Sequence, residues 1–114
     1  MKDSMSLIRG TLDVLILNAL SGGSLHGYGV VDWLREVTDG ALEIDDGALY
    51  TALHRLEKKG WLEAEWRVSP RGRRAKYYSV TNDGRAHRVT SERNWTSYVE
   101  TVAKVFAARR AQEA

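Results

Sequence analysis

The chain of 114 residues contains no cysteine, a single proline and a single phenylalanine. The absence of cysteine excludes disulfides, thiolate nucleophiles and cysteine-based zinc sites. It also fits a reducing compartment, so we expect the protein in the cytoplasm. A long apolar run is missing as well, because the apolar N-terminal stretch is interrupted by Arg9, Asp13 and Asn18. We therefore expect no membrane span and no cleaved leader.

The net charge is small, because 17 basic residues are balanced by 15 acidic ones. The distribution of charge is more informative than its total. Five basic residues lie close together with no acidic residue between them, namely Arg67, Arg71, Arg73, Arg74 and Lys76. Such a cluster suits phosphate groups, although most charge runs are only solvated surface.

Residue constellations typical of enzymes are missing from the sequence. The histidines His26, His54 and His87 are scattered, and no carboxylate pair falls at a spacing that suggests a cleft. His26 has no acidic or metal-binding partner at helical spacing, so we assign it a structural or surface role. The sequence SGGS at residues 21–24 lacks the lysine and the preceding strand of a phosphate-binding loop. We expect no enzyme, no cofactor and no metal.

Apolar periodicity predicts two helices in the first third of the chain. The first, Leu7 to Leu20, is apolar around most of its circumference, which predicts burial on several sides and a further partner helix. The second opens at residues 26–29 and extends to about Thr38, and its two early glycines indicate a close backbone approach or a tight entry. Ala41 to Ile44 then alternates apolar and polar residues, which predicts a short strand.

The next segment, Asp45 to Gly60, has the pattern of a DNA recognition helix. Its buried stripe, at i, i+3, i+4 and i+7, consists of Leu49, Ala52, Leu53 and Leu56. The opposite face lacks carboxylates and presents Gly47, Tyr50, Thr51, His54 and Lys58, with Arg55 on its flank. Small, hydrogen-bonding and basic groups suit a major groove. Asp45 or Asp46 can cap this helix, and Gly60 can end it. An ordinary amphipathic surface helix has the same periodicity, so this segment does not decide the function alone.

A hairpin and a long helix follow. Trp61 to Val68 and Ala75 to Val80 have strand-like composition, and the basic turn between them holds the only proline. Adjacent Tyr77 and Tyr78 must face opposite sides of their strand, one towards the core and one towards DNA, and the sequence does not distinguish them. The last helix starts near Thr81, and one of its faces is formed by Trp95, Tyr98, Val99, Val102, Val105 and Phe106.

Three helices followed by a basic hairpin define a winged helix-turn-helix. We therefore predict a mainly α fold with a small β-hairpin and a long C-terminal helix. Residues 1–82 form the DNA-binding domain, and residues 83–114 form a dimerisation helix that packs with helix 1 and is not an independent domain. The third helix is expected in the major groove and the hairpin, or wing, on the backbone or minor groove. The alternative is a winged-helix protein-interaction module without DNA binding, which should have lost the basic wing and the acid-free helix face.

The chain resembles the PadR family of transcriptional regulators from Arg9 to about Phe106. The resemblance rests on RGTLD (9–13), LHGYG (25–29), GALYTALHRLE (47–57), GWL (60–62) and RRAKYY (73–78), followed by Thr81 and Gly84. It implies a bacterial or archaeal regulator, usually a repressor, that binds a palindromic operator as a homodimer held by helix 1 and a single C-terminal helix. Gly47 or Ala48 stands where family members commonly have a hydroxylated residue, which leaves only backbone amides there for a phosphate.

Helix 3, the wing and the resemblance together define the expected sites. Contacts with double-stranded DNA are expected from Tyr50, Thr51, His54, Arg55, Lys58, Arg71, Arg73, Arg74, Lys76 and Tyr77. The dimer interface is expected to contain Leu12, Ile16, Trp95, Tyr98, Val99, Val102 and Phe106. In the multidrug-sensing branch of the family, a tryptophan matching Trp95 lines a pore at the dimer centre and stacks on flat ligands. We favour a dimer-core role for Trp95, because large aromatics bury area with or without a ligand, and keep a small aromatic effector as the alternative.

Overall fold

The structure is a computed structural model that describes residues 11–114. Its elements are α1 (Thr11–Leu20), β1 (Leu25–His26), α2 (Gly27–Val37), α3 (Asp46–Lys58), β2 (Leu62–Val68), β3 (Arg74–Val80) and α4 (Asn82–Glu113). The mainly α fold with a small hairpin and a long last helix is confirmed. The predicted beginning of the first helix, at residues 7–10, lies outside the described residues.

The hydrophobic core lies where α1, α2 and α3 meet the base of the sheet. Its most completely buried side chains are Val30, Leu49, Leu53, Leu56, Leu62, Ile16 and Leu17. All four residues of the stripe predicted on α3 are buried. Ile16 has 0% of its surface exposed. Its assignment to the dimer interface was therefore wrong, because its side chain lies inside the chain's own core and has no surface left for a partner.

Helix α3 begins and ends where the sequence predicts. The Asp45 carboxylate accepts a hydrogen bond from the backbone N–H of Ala48 at 3.0 Å, which identifies Asp45 as the N-cap. A carboxylate at this position satisfies an orphan amide and interacts favourably with the positive end of the helix dipole. Lys59 caps the other end, and Gly60 follows it with a φ of 81°.

The short strand lies earlier in the chain than predicted. Ala41–Ile44 contains only an isolated bridge at Leu42, and its alternation reflects half-buried side chains such as Ile44, which packs against the core. The paired strand is β1, which aligns Leu25 with Tyr78 at the free edge of β3. The hairpin thus becomes a three-stranded antiparallel sheet of order β1-β3-β2. Alternation alone did not distinguish burial from strand pairing.

Helix α4 is anchored to the domain near its start. Arg88 Nη1 donates to Asn18 Oδ1 of α1 at 3.2 Å. The ring of His87 stacks on Trp61, with centroids 3.5 Å apart. Of the 32 residues of α4, only Gly84 is buried, so most of this helix extends beyond the domain. No helix within residues 11–114 combines the length and the apolar character needed to cross a membrane.

Candidate nucleic-acid interface

The polar face of α3 is solvent-exposed. Thr51, His54 and Lys58 are exposed, whereas their neighbours Ala52 and Leu53 are buried. The rotation of α3 predicted from its periodicity is therefore confirmed. Hydroxyl, imidazole and ammonium groups on one open face offer donors and acceptors for base edges and phosphates.

Tyr50 lies at the border between α3 and the start of α2. A Cβ atom at Gly27 would lie 2.7 Å from its hydroxyl oxygen, so only glycine permits this contact and the predicted close approach is confirmed. Partial burial raises the pKa of Tyr50, and the nearby Tyr28 and Asp46 raise it further. The phenol therefore stays neutral at physiological pH and can donate a hydrogen bond from the 43% of its surface that remains exposed.

The helix cap at the start of α2 explains His26. Its Nδ1 accepts a hydrogen bond from the backbone N–H of Gly29 at 3.1 Å, so His26 is the N-cap of α2. The structural role expected for this histidine is confirmed. Within residues 11–114, no three histidine, aspartate or glutamate side chains converge in a way that could hold a metal ion.

The wing tip carries positive charge that is not neutralised locally. Ser69 holds the turn, because its N–H donates to the carbonyl of Arg73 at 2.7 Å and its hydroxyl accepts from the N–H of Arg73 at 3.2 Å. The side chains of Arg71, Arg73 and Arg74 are exposed. Within the described part of the chain, no ion pair joins any of them to a carboxylate. These guanidinium groups are available for bidentate contacts with phosphates.

Two other cations expected at the DNA, Arg55 and Lys76, are paired with carboxylates of the same chain. Arg55 forms an ion pair with Asp13 of α1. Lys76 of the wing donates from Nζ to Glu57 Oε1 of α3 at 2.9 Å, and this hydrogen bond raises the pKa of Lys76. One pair joins the recognition helix to α1 and the other joins it to the wing. The sequence did not predict these pairs, because their members are 42 and 19 positions apart.

The two adjacent tyrosines of β3 lie on opposite faces of the sheet, as predicted. Tyr78 is 5% exposed and packs in the core, and this burial raises its pKa. Tyr77 is half-buried on the outer face, where its ring meets the edge of His26 at 5.4 Å and lies 5.1 Å from the guanidinium of Arg67. The core-facing member of the pair is therefore Tyr78, and a DNA contact from Tyr77 stays a prediction.

A cleft of about 940 Å³ separates the wing from the helices, and we call it the wing–helix cleft. One wall is formed by α2 and α3, with Tyr28, Asp32 and Tyr50. The other is formed by the wing, with Trp66, Arg73 and Arg74 among its residues. Trp66 and Tyr28 were absent from the expected sites, because their exposure depends on how the hairpin packs beside α2 and α3.

The outer part of α4 carries an apolar strip that residues 11–114 leave largely exposed. Trp95 and Val102 are half-buried, and the rings of Trp95 and Tyr98 are 6.0 Å apart. Val99 and Phe106 are 45% and 57% exposed. Leu12 of α1, also expected at the interface, is half-buried and packs against the core. Apolar side chains exposed in a row mark a surface for association.

Comparisons with known proteins agree with this architecture. A model of the transcriptional regulator PadR-like family matches residues 16–89. A transcriptional regulator from Clostridium thermocellum is 29% identical in sequence and superposes with a TM-score of 0.77, over 84% of this chain and 90% of its own. A PadR family transcriptional regulator from Eggerthella lenta is 32% identical, with a TM-score of 0.73 over 86% of this chain and 83% of its own. An uncharacterised protein of Lysinibacillus sphaericus is 30% identical over 96 residues, which cover 84% of this chain and 88% of its own.

Proposed function

Because the chain belongs to the PadR-like family of transcriptional regulators, we propose that it binds an operator in double-stranded DNA as a homodimer and represses transcription there. The observation that carries this proposal is the placement of two surfaces on either side of the wing–helix cleft. One is the exposed polar face of α3, and the other is the wing tip, whose arginines form no ion pair with the carboxylates of residues 11–114. In a winged helix, these surfaces suit adjacent grooves of one duplex.

The proposed DNA contacts fall into two classes. Tyr50, Thr51, His54 and Lys58 of α3 would approach base edges and nearby phosphates in the major groove. Arg71, Arg73 and Arg74 would bind phosphates or the minor groove. Arg55 and Lys76 are assigned a different role here, since each is paired with a carboxylate of the same chain. We propose that they position α3.

The proposed dimer follows from the uncovered strip on α4. A second copy would bury Tyr98, Val99 and Phe106, whose exposed apolar surface is costly in water. A twofold dimer presents two α3 helices, so the operator should be a palindrome with half-sites one helical turn or a multiple of it apart. Acting on the chromosome places such a regulator in the cytoplasm.

Trp95 is the residue at which a small-molecule effector could bind in the proposed dimer. Its half-buried ring lies beside Tyr98, so dimer packing accounts for it without a ligand. A flat aromatic compound that stacks on Trp95 and releases the operator is the alternative. Quenching of tryptophan fluorescence by such compounds in the wild type, and its loss in Trp95→Phe, would favour the effector.

The proposal is tested by selecting DNA from a random duplex pool with the purified protein. We expect recovery of a palindromic motif and its retention in a gel-shift assay. A protein-interaction module without DNA binding would fail to retard any duplex, even at low salt, and that result would contradict the proposal. Transcription from a promoter carrying the selected motif would then be measured with and without the protein, and activation would contradict repression.

A further inference from the structure

The inner face of the wing carries an exposed aromatic side chain with a cation stacked on it. In the register of the hairpin, Trp66 lies opposite Lys76, and Tyr78 lies two residues further along the same face. Trp66 is 58% exposed. The guanidinium carbon of Arg74 lies 5.1 Å from the centroid of its ring. A cation in this position lies over the negative face of the ring, so the pair forms one flat, positively charged surface.

The opposite wall of the wing–helix cleft is also aromatic. Tyr28 of α2 is 61% exposed and Tyr50 of α3 is 43% exposed, and both line the cleft with Trp66. Large aromatic side chains are usually buried for most of their area. Three of them exposed on facing walls indicate a surface that a partner covers.

The charge of the cleft specifies the chemistry of that partner. Arg71, Arg73 and Arg74 line the wing side. Among the residues described in its walls, Asp32 is the one carboxylate, and it is paired with Arg35 at 3.4 Å. Aromatic faces bounded by exposed arginines fit a ligand with alternating apolar and anionic parts. The deoxyriboses and phosphates of a nucleic-acid strand alternate in this way.

The position of the cleft favours a DNA strand over a small anion. The proposed function places α3 in one groove and the wing tip at the neighbouring groove, and the backbone between two adjacent grooves must pass between these elements. Resting on that function, we propose that the wing–helix cleft holds this strand. Trp66 packs against a deoxyribose, Arg74 binds the adjoining phosphate, and the hydroxyls of Tyr28 and Tyr50 donate to phosphates on the opposite wall.

The experiment compares Trp66→Ala with Val68→Ala, a matched control on the same strand. Val68 is 68% exposed and lies on the same face of β2, but it does not line the cleft. Affinity for the selected operator and for an unrelated duplex would be measured between 50 and 200 mM salt. For Trp66→Ala we expect both affinities to fall by about a hundredfold, because a dimer loses two aromatic contacts of about tenfold each. The salt dependence should stay unchanged because no charge is removed, and Val68→Ala should bind like the wild type.

Arg74→Ala separates the charged part of the surface from the aromatic part. It should reduce the slope of log affinity against log salt by about 1.8 for the two arginines of a dimer. Hydroxyl-radical footprinting should show sugars protected between the contacts of α3 and of the wing in the wild type and in Val68→Ala. That protection should be lost in Trp66→Ala. Trp66→Phe keeps an aromatic face, so it should restore the protection and most of the affinity.

If a folded Trp66→Ala protein has unchanged affinity and an unchanged footprint, the cleft does not hold the DNA strand and the proposal is overturned. A small aromatic anion would then be the next occupant to test. If Trp66→Ala does not fold, Tyr28→Ala on the opposite wall serves instead and should lose the same protections. Intact protections in a folded Tyr28→Ala protein would overturn the proposal. These outcomes differ from failure of the proposed function, in which the wild type itself binds no duplex.

Discussion

Helix α3 and the outer part of α4 are both amphipathic, yet the apolar face of α3 is buried and that of α4 is largely exposed. The four stripe residues of α3 are buried within the chain. Along α4, the apolar strip remains largely open, with Tyr98 and Phe106 each 57% exposed. Only the polar face of α3 is left for a partner, whereas α4 still has its apolar face to cover.

This difference shows how similar periodicities can have separate functions in one chain. Burial of the apolar face of α3 contributes to folding, so its polar face can change with little effect on stability. In the proposed dimer, the apolar face of α4 is covered by the second copy rather than by the chain's own core. Its substitution should therefore affect association first.

The largest effect is expected from charge placed in the strip on α4. Burying a neutral polar group without a hydrogen bond costs about 2–7 kcal/mol, and burying an unpaired carboxylate costs more. Val99→Glu with Val102→Glu should therefore give a monomer or an aggregate in analytical ultracentrifugation. Loss of the second half-site contact should lower operator affinity by about a hundredfold or more.

The matched control for this pair places the same charges on the other side of α4. Ser97→Glu with Thr101→Glu adds two carboxylates at positions that are exposed in the single chain. This variant should remain dimeric. A wild-type protein that sediments as a monomer at micromolar concentration would refute the assignment of the strip to association.

A smaller effect is expected from the wing tip. Arg73→Ala with Arg74→Ala removes four cations from a dimer, so the salt slope should fall by about 3.6. Raising the salt from 50 to 200 mM should weaken binding of both proteins, and the fold loss should be about a hundred times smaller for the double variant than for the wild type. Operator and unrelated duplex should weaken alike. A changed base preference with an unchanged slope would mean that the wing contacts bases.

The smallest effect is expected from the ion pair that joins α3 to α1. Asp13→Asn and Arg55→Gln should each lower the free energy of unfolding by about 1 kcal/mol, since Asp13 is largely buried and Arg55 is partly exposed. Denaturant titration measures this loss. The double variant should lose less than the sum of the two single variants.

Arg55→Gln also distinguishes positioning from direct DNA contact. A positioning role leaves the salt slope of operator binding unchanged. If Arg55→Gln flattens the slope by about 1.8 without changing the free energy of unfolding, Arg55 binds phosphates in the complex.

Elements defined by local chemistry could be predicted from the sequence. The N-cap at Asp45, the stripe on α3 and the basic turn of the hairpin each depend on residues a few positions apart. The helix order and the wing follow from these local signals. The resemblance to one family added the expectations of a repressor and of a homodimer.

Features that depend on distant partners could not be predicted. The alternation at Ala41–Ile44 was assigned to a strand on local pattern alone. The strand that pairs is Leu25–His26, and its partner β3 lies about 50 positions later in the sequence. The pairing of Arg55 with Asp13 was not predicted, because the two residues are 42 positions apart. Trp66 faces the wing–helix cleft only once the hairpin packs beside α2 and α3. Each of these outcomes is fixed by tertiary packing.

The central claim is that the two faces of α3 have separate roles, and parallel measurement of stability and operator affinity tests it most directly. Leu53→Ala should lower the free energy of unfolding by about 2–5 kcal/mol, because it leaves a cavity at a completely buried position. Thr51→Ala and His54→Ala should melt like the wild type, yet each should lose about 1–3 kcal/mol of operator binding for a lost base contact. If Thr51→Ala and His54→Ala instead lower the melting temperature and bind the operator as before, the exposed face of α3 does not recognise DNA and the account is contradicted.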